Sequence, residues 1–501
     1  MFARLTLFLF CAFLLVGGRE PPWADANVAW KTAQAMVERH ELSIDLAAPS
    51  YFFVERNGKK YGYGSLGTAL SQVPAVLLQR RLSKLPGIAQ GPLLALCSHL
   101  VPALCMALAV ALFARRSVRM GATLRLGFSW SLVLAFATVC LVYARSSYGE
   151  ALQTLLLVWM ADLLLSACEA PRAGLCALLG LCFGMLFVAK PLYAAILPSA
   201  VGVFVWARWR DGLLRVAWRL ALAGLCALPG LWVFVQHNAV KTGHFLQTGY
   251  QSGQLGLFEG ELPAGLFGLL LSPGKGLLFF APPVVLSLWG LRQAWQTHQA
   301  VVMVVVSFFL PVLFVSAKYP VWHGGYCFGP RYLVPTVPLL LWLALPLLVR
   351  WWEERKTTAR IALVSCALVG GTSAVLGSAV YWDHYCRVLA QVKTHALHPS
   401  WSEDHHPFGY FVPQFSPLVG HAWVLKHTLQ KDPNVERDAP WQKLLRIKLP
   451  LGDEFARWRL DVWALDWLWG NQRHTRYGFA LLLLLFSGMA GAVWSARGKP
   501  S

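Results

Sequence analysis

The sequence predicts an all-α polytopic membrane protein with about twelve transmembrane helices. Apolar residues make up 56% of its 501 residues and charged residues only 14%, whereas roughly one quarter of an average soluble chain is charged. The mean hydropathy is +0.50. Twelve apolar stretches approach the length that crosses a bilayer. A chain of this composition needs lipid to cover its outer surface.

The apolar stretches run along the whole chain, with one long gap before the last. They are residues 2–16, 93–114, 122–143, 151–167, 173–189, 192–207, 216–236, 277–291, 300–316, 333–349, 361–380 and 477–494. The first could instead be a signal peptide, because its core is short and Ala24 resembles a cleavage position.

Basic residues predict the orientation. With the N-terminus inside, arginine and lysine fall on inner connections at 115–125, 172, 208–219, 292 and 350–360, and on the tail at 497–499. Such a bias holds connections in the cytoplasm, so both termini are expected there. The net charge of +20 then reflects topology, and binding to nucleic acid is not expected.

Three long segments remain outside, 17–90, 237–276 and 381–476. Function concentrates on loops held by a rigid scaffold, so the active face is expected on this side. We divide the chain into a transmembrane domain, 1–380, which includes the first outer loop 17–90, and a small irregular outer domain, 381–476. A last transmembrane helix and cytoplasmic tail follow at 477–501.

The outer segments contain three distinctive stretches. Apolar residues recur at helical spacing over 29–37, which predicts an amphipathic helix on the membrane surface. The half-apolar stretch 66–78 ends in basic residues and is expected at the outer interface. The apolar segment 268–283 is interrupted by Pro273 and two glycines, which predicts a broken or re-entrant helix with Lys275 inside it.

Asp25 lies just beyond the first apolar stretch, at the start of the amphipathic helix. An aspartate there can cap the helix by accepting backbone N–H bonds. A cap does not exclude a second role for the same carboxylate.

Several motifs together resemble the GT-C superfamily of glycosyltransferases, which use polyprenyl-phosphate-linked sugars and include protein O-mannosyltransferases and the lipid A aminoarabinose transferase. Asp25, the amphipathic helix and YGYGSLGTALSQVP (61–74) are similar to the first outer loop of that superfamily. VYARSSYGEALQTL (142–155), SPGKGLLFFAPP (272–283) and WHGGYCFGPRYLVPTVP (322–338) are similar to later signatures of its bacterial branch. The sequence departs from the pattern at Ala26, where a second acid usually follows the first.

The resemblance implies an inverting transfer with Asp25 as general base, on the outer face of a bacterial inner membrane. A sugar on a lipid phosphate has a good leaving group, so one base and phosphate-binding cations suffice. The phosphate candidates are Arg331, Lys275 and Arg145. Each of these could instead be an interfacial cation that extends to the headgroups.

Other residues are weaker candidates for the same site. Glu150 could stabilise a helix N-terminus or act as a second acid that positions the acceptor or a divalent ion. Lys190, His323 and Tyr332 are further candidates for substrate contacts. Some members of the superfamily use a divalent metal ion, but the histidines around Asp404 lack zinc-ligand spacing.

The expected partners are a polyprenyl-phosphate-linked sugar, membrane lipid and an acceptor that is a glycan, a lipid or a protein. A transporter or flippase of a lipid-linked sugar would share the polytopic body. Transporters usually contain repeats and paired broken helices, and the sequence has one broken segment and no evident repeat. A catalytically inactive subunit of envelope assembly is the third alternative.

Overall fold

The structure, a computed structural model, describes residues 2–45, 52–249, 258–325, 327–396, 407–432, 434–445, 451–469 and 472–497. The first half contains α1 (Phe2–Leu15), α2 (Ala24–Glu38), β1 (Phe53–Arg56), β2 (Lys59–Gly62), α3 (Leu66–Leu82), α4 (Gln90–Arg119), α5 (Leu124–Phe136), α6 (Cys140–Ala144), α7 (Glu150–Glu169), α8 (Ala173–Ala189), α9 (Leu197–Arg208) and α10 (Leu213–Thr242).

The second half is also helical. It contains α11 (Leu262–Leu271), α12 (Leu277–Phe280), α13 (Val285–Thr297), α14 (Gln299–Lys318), α15 (Val337–Glu354), α16 (Lys356–Ala379), α17 (Trp382–Ala396), α18 (Pro407–Phe411), α19 (Pro417–Gln430), α20 (Gln442–Leu445), α21 (Gly452–Phe455), α22 (Trp463–Trp469) and α23 (Gln472–Arg497). Short 3₁₀ segments at Pro191–Ile196 and Arg331–Thr336 lead into α9 and α15.

The prediction of an all-α polytopic membrane protein is confirmed. Among the described residues, eight helical segments are long and apolar enough to cross a membrane: Gln90–Arg119, Glu150–Glu169, Pro191–Asp211, Leu213–Thr242, Gln299–Lys318, Arg331–Glu354, Lys356–Ala379 and Arg476–Val493. Three predicted spans are shorter apolar helices, α1, α5 and α8. The predicted span 277–291 is interrupted between α12 and α13, where Pro282 and Pro283 form a 3₁₀ turn.

The predicted break near Lys275 is confirmed, because α11 ends at Leu271 and α12 begins at Leu277. Ser272 and the residues up to Gly276 form the connection, in which the Gly276 N–H donates to the Ser272 carbonyl at 2.7 Å. Proline and glycine cannot continue a regular helix here without loss of hydrogen bonds or conformational freedom.

The first outer loop packs against the helices rather than lying free on the membrane. Trp30 and Ala33, from the apolar face of α2, are buried together with Ala75 and Val76 of α3 and Leu93 of α4. Protein, and not lipid, therefore covers the face that the sequence predicts to lie on the membrane surface.

An antiparallel hairpin connects α2 to α3, with Phe53 opposite Gly62 and Arg56 opposite Lys59. The Arg56 guanidinium donates to the carbonyls of Ala239 and Val240, at 2.5 and 2.8 Å. These carbonyls lie near the C-terminus of α10, where helix carbonyls lack helical partners and attract cations. These hydrogen bonds therefore hold the hairpin against α10.

The outer segment after α16 has its own hydrophobic cluster. Tyr385 and Val388 of α17 pack with Trp423, Trp441 and Trp458. By contrast, Trp463 and Trp467 of α22 belong to the main core, and the Trp463 indole N–H donates to the Leu14 carbonyl at 2.5 Å. This contact joins the outer segment to the end of α1.

Candidate active site

A cleft lies between the first outer loop, 17–90, the N-terminus of α7 and the C-terminus of α8. Its space, including the solvent at its mouth, is about 650 Å³. Glycine allows the walls to approach closely, because a Cβ on Gly67 of α3 would lie 2.6 Å from the Ala189 Cα at the end of α8. The polar lining consists of Asp25, Thr32, Tyr63, Ser65, Thr68, Gln153, Lys190, His237 and Arg331.

Asp25 presents its carboxylate to this cleft and does not cap its helix. It is the second residue of α2, and the N-cap position is Trp23, which makes no side-chain cap hydrogen bond. The interpretation of Asp25 as an N-cap is therefore wrong. The preceding residue, Ala24, has a φ of 48°, a left-handed conformation that costs a non-glycine residue about 1–3 kcal/mol and is typical of functional sites.

Both carboxylate oxygens of Asp25 are hydrogen-bonded. The Tyr63 hydroxyl donates to Oδ1 at 2.6 Å, and Arg331 Nη1 lies 2.6 Å from Oδ2. Burial raises the pKa of Asp25, but the Arg331 charge and the Tyr63 hydrogen bond lower it by more, so the pKa lies below its usual value. The carboxylate is therefore ionised at neutral pH.

Arg331 joins two acidic residues. Its Nε donates to Glu150 Oε1 at 2.5 Å, while its Nη1 faces Asp25, and the guanidinium carbon lies 4.6 Å from the centre of the Tyr148 ring. The Glu150 side chain is 1% exposed and the Asp25 side chain 27% exposed. The arginine thus connects a buried acid to an acid that faces the cleft.

The glycine turn, described at 322–325 and 327–330, leads into the 3₁₀ segment Arg331–Thr336, of which Arg331 is the first residue. Gly324 has a φ of 73°, and a Cβ there would lie 3.1 Å from the Arg331 Cβ. Lys275 Nζ donates to the carbonyls of Gly325 and Cys327 in this turn, at 3.1 and 2.7 Å. Lys275 is therefore placed beneath the turn that carries Arg331, and it does not line the cleft.

Lys190 supplies a second cation to the cleft. Its Nζ lies 4.1 Å from the centre of the Tyr332 ring, and Tyr332 packs edge-on against Tyr319. Burial lowers the pKa of Lys190 to about 8, although the Glu150 carboxylate acts in the opposite direction. The face of an aromatic ring attracts a cation electrostatically, so Tyr332 helps to hold the Lys190 ammonium in place.

Arg145 and His323 lie elsewhere. Arg145 Nη1 is 3.0 Å from Asp461 Oδ2, and its Nε donates to the Val16 carbonyl at 2.5 Å. His323 Nδ1 is 2.8 Å from the Tyr410 hydroxyl, with which its ring stacks. The structure therefore brings together four of the predicted residues, Asp25, Glu150, Lys190 and Arg331, with Tyr332 beside Lys190.

Comparison with known proteins establishes the fold. No family model matches the sequence, and no curated protein matches it. The apo structure of ArnT from Cupriavidus metallidurans is similar over 97% of this chain and 76% of that chain, at 14% identity and a TM-score of 0.51. The apo oligosaccharyltransferase of Archaeoglobus fulgidus is similar over 96% of this chain and 68% of that chain, at 11% identity and a TM-score of 0.50.

The chain has the GT-C fold. In this fold the Asp25 cleft opens where the first outer loop meets the ends of α7 and α8. Within the described ranges, no group of three or more His, Cys, Asp or Glu side chains is arranged to hold a metal ion. Asp25 and Glu150 have Arg331 between them, so this pair does not fit a divalent ion as arranged. His398 and the stretch 404–406 lie outside the described residues.

Two tyrosines of the site were not predicted. Tyr63 holds Asp25 Oδ1, and Tyr148 packs against the Arg331 guanidinium. Both occur inside motifs that carried the family resemblance, 61–74 and 142–155. A tyrosine within such a motif is the feature that could have indicated them, because a buried tyrosine hydroxyl usually has a hydrogen-bond partner.

Proposed function

We propose that this protein is a membrane glycosyltransferase that moves a hexosyl or pentosyl group from a polyprenyl phosphate to an acceptor hydroxyl. One observation carries the proposal. The ionised carboxylate of Asp25 faces a cleft that also contains two cations, Arg331 and Lys190. A base beside cations meets the needs of a transfer in which a phosphate leaves, and the name of one structural neighbour, an oligosaccharyltransferase, also describes glycosyl transfer.

The transfer needs one proton acceptor and one anion-binding group. The acceptor oxygen forms a bond to the anomeric carbon, while the bond from that carbon to the phosphate oxygen breaks and leaves its electrons on the phosphate. The acceptor proton moves to Asp25. Because attack occurs opposite the departing phosphate, the anomeric configuration inverts. No second carboxylate is required, in contrast to glycoside hydrolysis.

Arg331 is the first candidate for the phosphate site. A guanidinium presents five donors in a planar fork that matches phosphate oxygens, and Glu150 holds this one by Nε. Its Nη1 can therefore leave Asp25 for a phosphate while Nε stays fixed. That movement would also free an oxygen of Asp25, both of whose oxygens are hydrogen-bonded before the donor arrives.

The remaining predicted residues take different roles in this proposal. Lys190 binds the phosphate as a point charge, and the Tyr332 ring supports its ammonium. Lys275 is a positioning residue, because its ammonium bonds two carbonyls of the glycine turn. His323 holds the same turn through Tyr410, and Arg145 fastens the end of α1 to the outer segment.

We place the protein in a bacterial inner membrane with the cleft on the periplasmic or extracellular face. The support is the distribution of basic residues along the inner connections. Lys190 and Arg331 lie at the ends of α8 and α15 opposite to these connections, and Asp25 follows the end of α1 that is opposite to the N-terminus. A lipid-linked donor could therefore enter the cleft from the outer leaflet, with its chain between helices.

The test is replacement of Asp25 by Asn in the native host, with surface glycans profiled by mass spectrometry. Removing a general base typically lowers the rate by about 10²–10⁴-fold. Asp45→Asn is the matched control, because Asp45 is in the same outer loop and its side chain is 94% exposed. Wild-type glycosylation by the Asp25 variant, at normal protein levels, would refute the catalytic role.

A second measurement separates the enzyme from a transporter. The purified protein is reconstituted in vesicles with its copurifying polyprenyl-phosphate sugar, which is identified by mass spectrometry. The enzyme consumes this lipid when an acceptor is added and leaves free polyprenyl phosphate. Movement of the intact lipid between leaflets, without consumption, would favour a flippase.

A further inference from the structure

A second cavity is lined in part by the residues that lead into α2. Its space, including open solvent, is about 450 Å³. Four aromatic residues line it, Trp23, Tyr148, Tyr381 and Trp382. Its polar lining comes from Glu20, His99, Arg145, Ser146, Ser147 and Asp461.

The charged groups of this cavity are already paired. Arg145 Nη1 is 3.0 Å from Asp461 Oδ2, and Glu20 Oε1 is 3.8 Å from Arg19 Nε. A charged ligand would have to break such a pair or enter without a counter-ion, and both are costly in a partly buried site. The cavity therefore favours an uncharged ligand, in contrast to the Asp25 cleft with its two cations.

Two polar atoms of residues that line the cavity have no hydrogen-bond partner among the described residues. His99 Nδ1 and Ser146 Oγ are buried and make no hydrogen bond within the described part of the chain, and His99 is only 4% exposed. Buried polar groups are nearly always satisfied. A ligand with hydroxyl groups, which both donate and accept, would satisfy an imidazole nitrogen and a serine hydroxyl together.

The cavity also adjoins the candidate active site. Tyr148 lines it and packs against the Arg331 guanidinium. Trp23, which also lines it, precedes Asp25 by two residues. A ligand in this cavity therefore lies next to the residues of the transfer without occupying the cleft proposed for the donor phosphate.

We propose that the second cavity binds an uncharged saccharide, which is the acceptor of the transfer. The proposal rests on the proposed function. Aromatic rings cover the apolar faces of a sugar, while its hydroxyl groups bond His99 and Ser146. An alkyl chain would leave those two polar atoms unsatisfied. The acceptor is therefore a neutral glycan or glycolipid headgroup.

The experiment measures sugar binding apart from transfer. The full-length protein in lipid nanodiscs is titrated, by saturation-transfer difference NMR, with methyl glycosides of glucose, galactose, mannose and N-acetylglucosamine. Methyl glucuronide and a neutral tripeptide amide are the comparison probes. We expect at least one neutral glycoside to bind, and both comparison probes to bind at least about tenfold more weakly.

Variants then place the binding in the cavity. Trp382→Ala and His99→Phe should each weaken binding by about tenfold, as loss of a central contact typically does. Trp218→Ala is the matched control, because Trp218 is 64% exposed on α10, and it should bind as the wild type does. Ser146→Ala removes a single hydroxyl from the cavity lining with little effect on packing, and it should also weaken binding.

The outcomes separate this proposal from the proposed function. Absence of binding by every neutral glycoside, preference for the acidic glycoside or the peptide, or binding that all three wall variants leave unchanged would each overturn the acceptor site. The Asp25→Asn variant should still bind the glycoside. If that variant also glycosylates normally, the catalytic proposal fails while the binding result stands by itself.

Discussion

Replacing Arg331 by Met should destabilise the protein, because it leaves Glu150 without its cation. The Glu150 side chain is 1% exposed, and Arg331 Nε lies 2.5 Å from its Oε1. Breaking a buried pair by removing one partner costs about 3–5 kcal/mol. The second contact, to Asp25, adds less, because the Asp25 side chain is 27% exposed and solvent screens a partly exposed pair.

A double-mutant cycle tests this reasoning. Glu150→Gln keeps the shape of the side chain and removes its charge, so the double variant with Arg331→Met leaves no unpaired buried charge at Glu150. We expect the sum of the two single-variant losses in free energy of unfolding to exceed the loss of the double variant by about 2 kcal/mol. This coupling is within the range of residues in contact. The assay is the free energy of unfolding from SDS titration in mixed micelles.

Two results would refute the reasoning. One is a loss below about 1 kcal/mol for Arg331→Met, which is the value of an exposed pair. The other is simple additivity of the two single variants, which would mean that the side chains do not interact. Arg350→Met provides the matched control, because Arg350 pairs with Glu354 at 3.0 Å and both side chains are more than half exposed.

Three further predictions concern the cleft. Tyr63→Phe removes a hydrogen bond that lowers the pKa of Asp25, so the acid limb of the pH–rate profile should move to higher pH; an unchanged limb would contradict the assignment. Lys190 loses its charge as pH rises through about 8, so polyprenyl phosphate should bind more weakly above that pH in the wild type but not in Lys190→Arg. Lys275→Met should accelerate amide hydrogen exchange in the glycine turn. It should also lower kcat more than it raises KM, because Arg331 is then less well positioned. Exchange at wild-type rates would contradict the positioning role of Lys275.

Hydrophobic patterning was sufficient for the helices but not for their interruptions. The break at 272–276 was predicted because proline and glycine interrupt the apolar run. The break between α5 and α6 occurs at 137–139, within a stretch, 128–143, that contains neither proline nor glycine. At that position the Thr138 hydroxyl donates to the Leu134 carbonyl at 2.7 Å and accepts from the Cys140 N–H at 3.2 Å. A hydropathy average does not contain such bonds.

The residues of the cleft were predicted as individual candidates, but their contacts were not. Asp25, Glu150, Lys190 and Arg331 each follow or begin an apolar stretch on the same side, so the topology alone places them on one face. That Arg331 joins both acids depends on the packing of α2, α7 and the glycine turn. Lys275 shows the opposite case, because its sequence context could not reveal that two backbone carbonyls hold its ammonium.

Arg145 illustrates a contact that the sequence could not reveal. Its partner, Asp461, is 316 residues away, in an outer segment without helical periodicity. A basic residue in a signature motif suggested phosphate binding, whereas the structure pairs it with an acid and with the end of α1. Ion pairs between residues so far apart in the sequence form only in the assembled fold, and the spacing of nearby residues does not predict them.

The position of Arg331 suggests how charge is handled during the proposed transfer. The reaction moves one negative charge from Asp25, which gains the acceptor proton, to the departing phosphate. A fixed cation on Asp25 would oppose this movement, and a fixed cation on the phosphate would leave the Asp25 carboxylate without a cation before the transfer. Arg331 avoids both costs, because Glu150 holds its Nε while its Nη1 faces Asp25. The Nη1 of the same guanidinium can therefore pair with Asp25 before the transfer and with the departing phosphate during it. Glu150 keeps the guanidinium within reach of both groups.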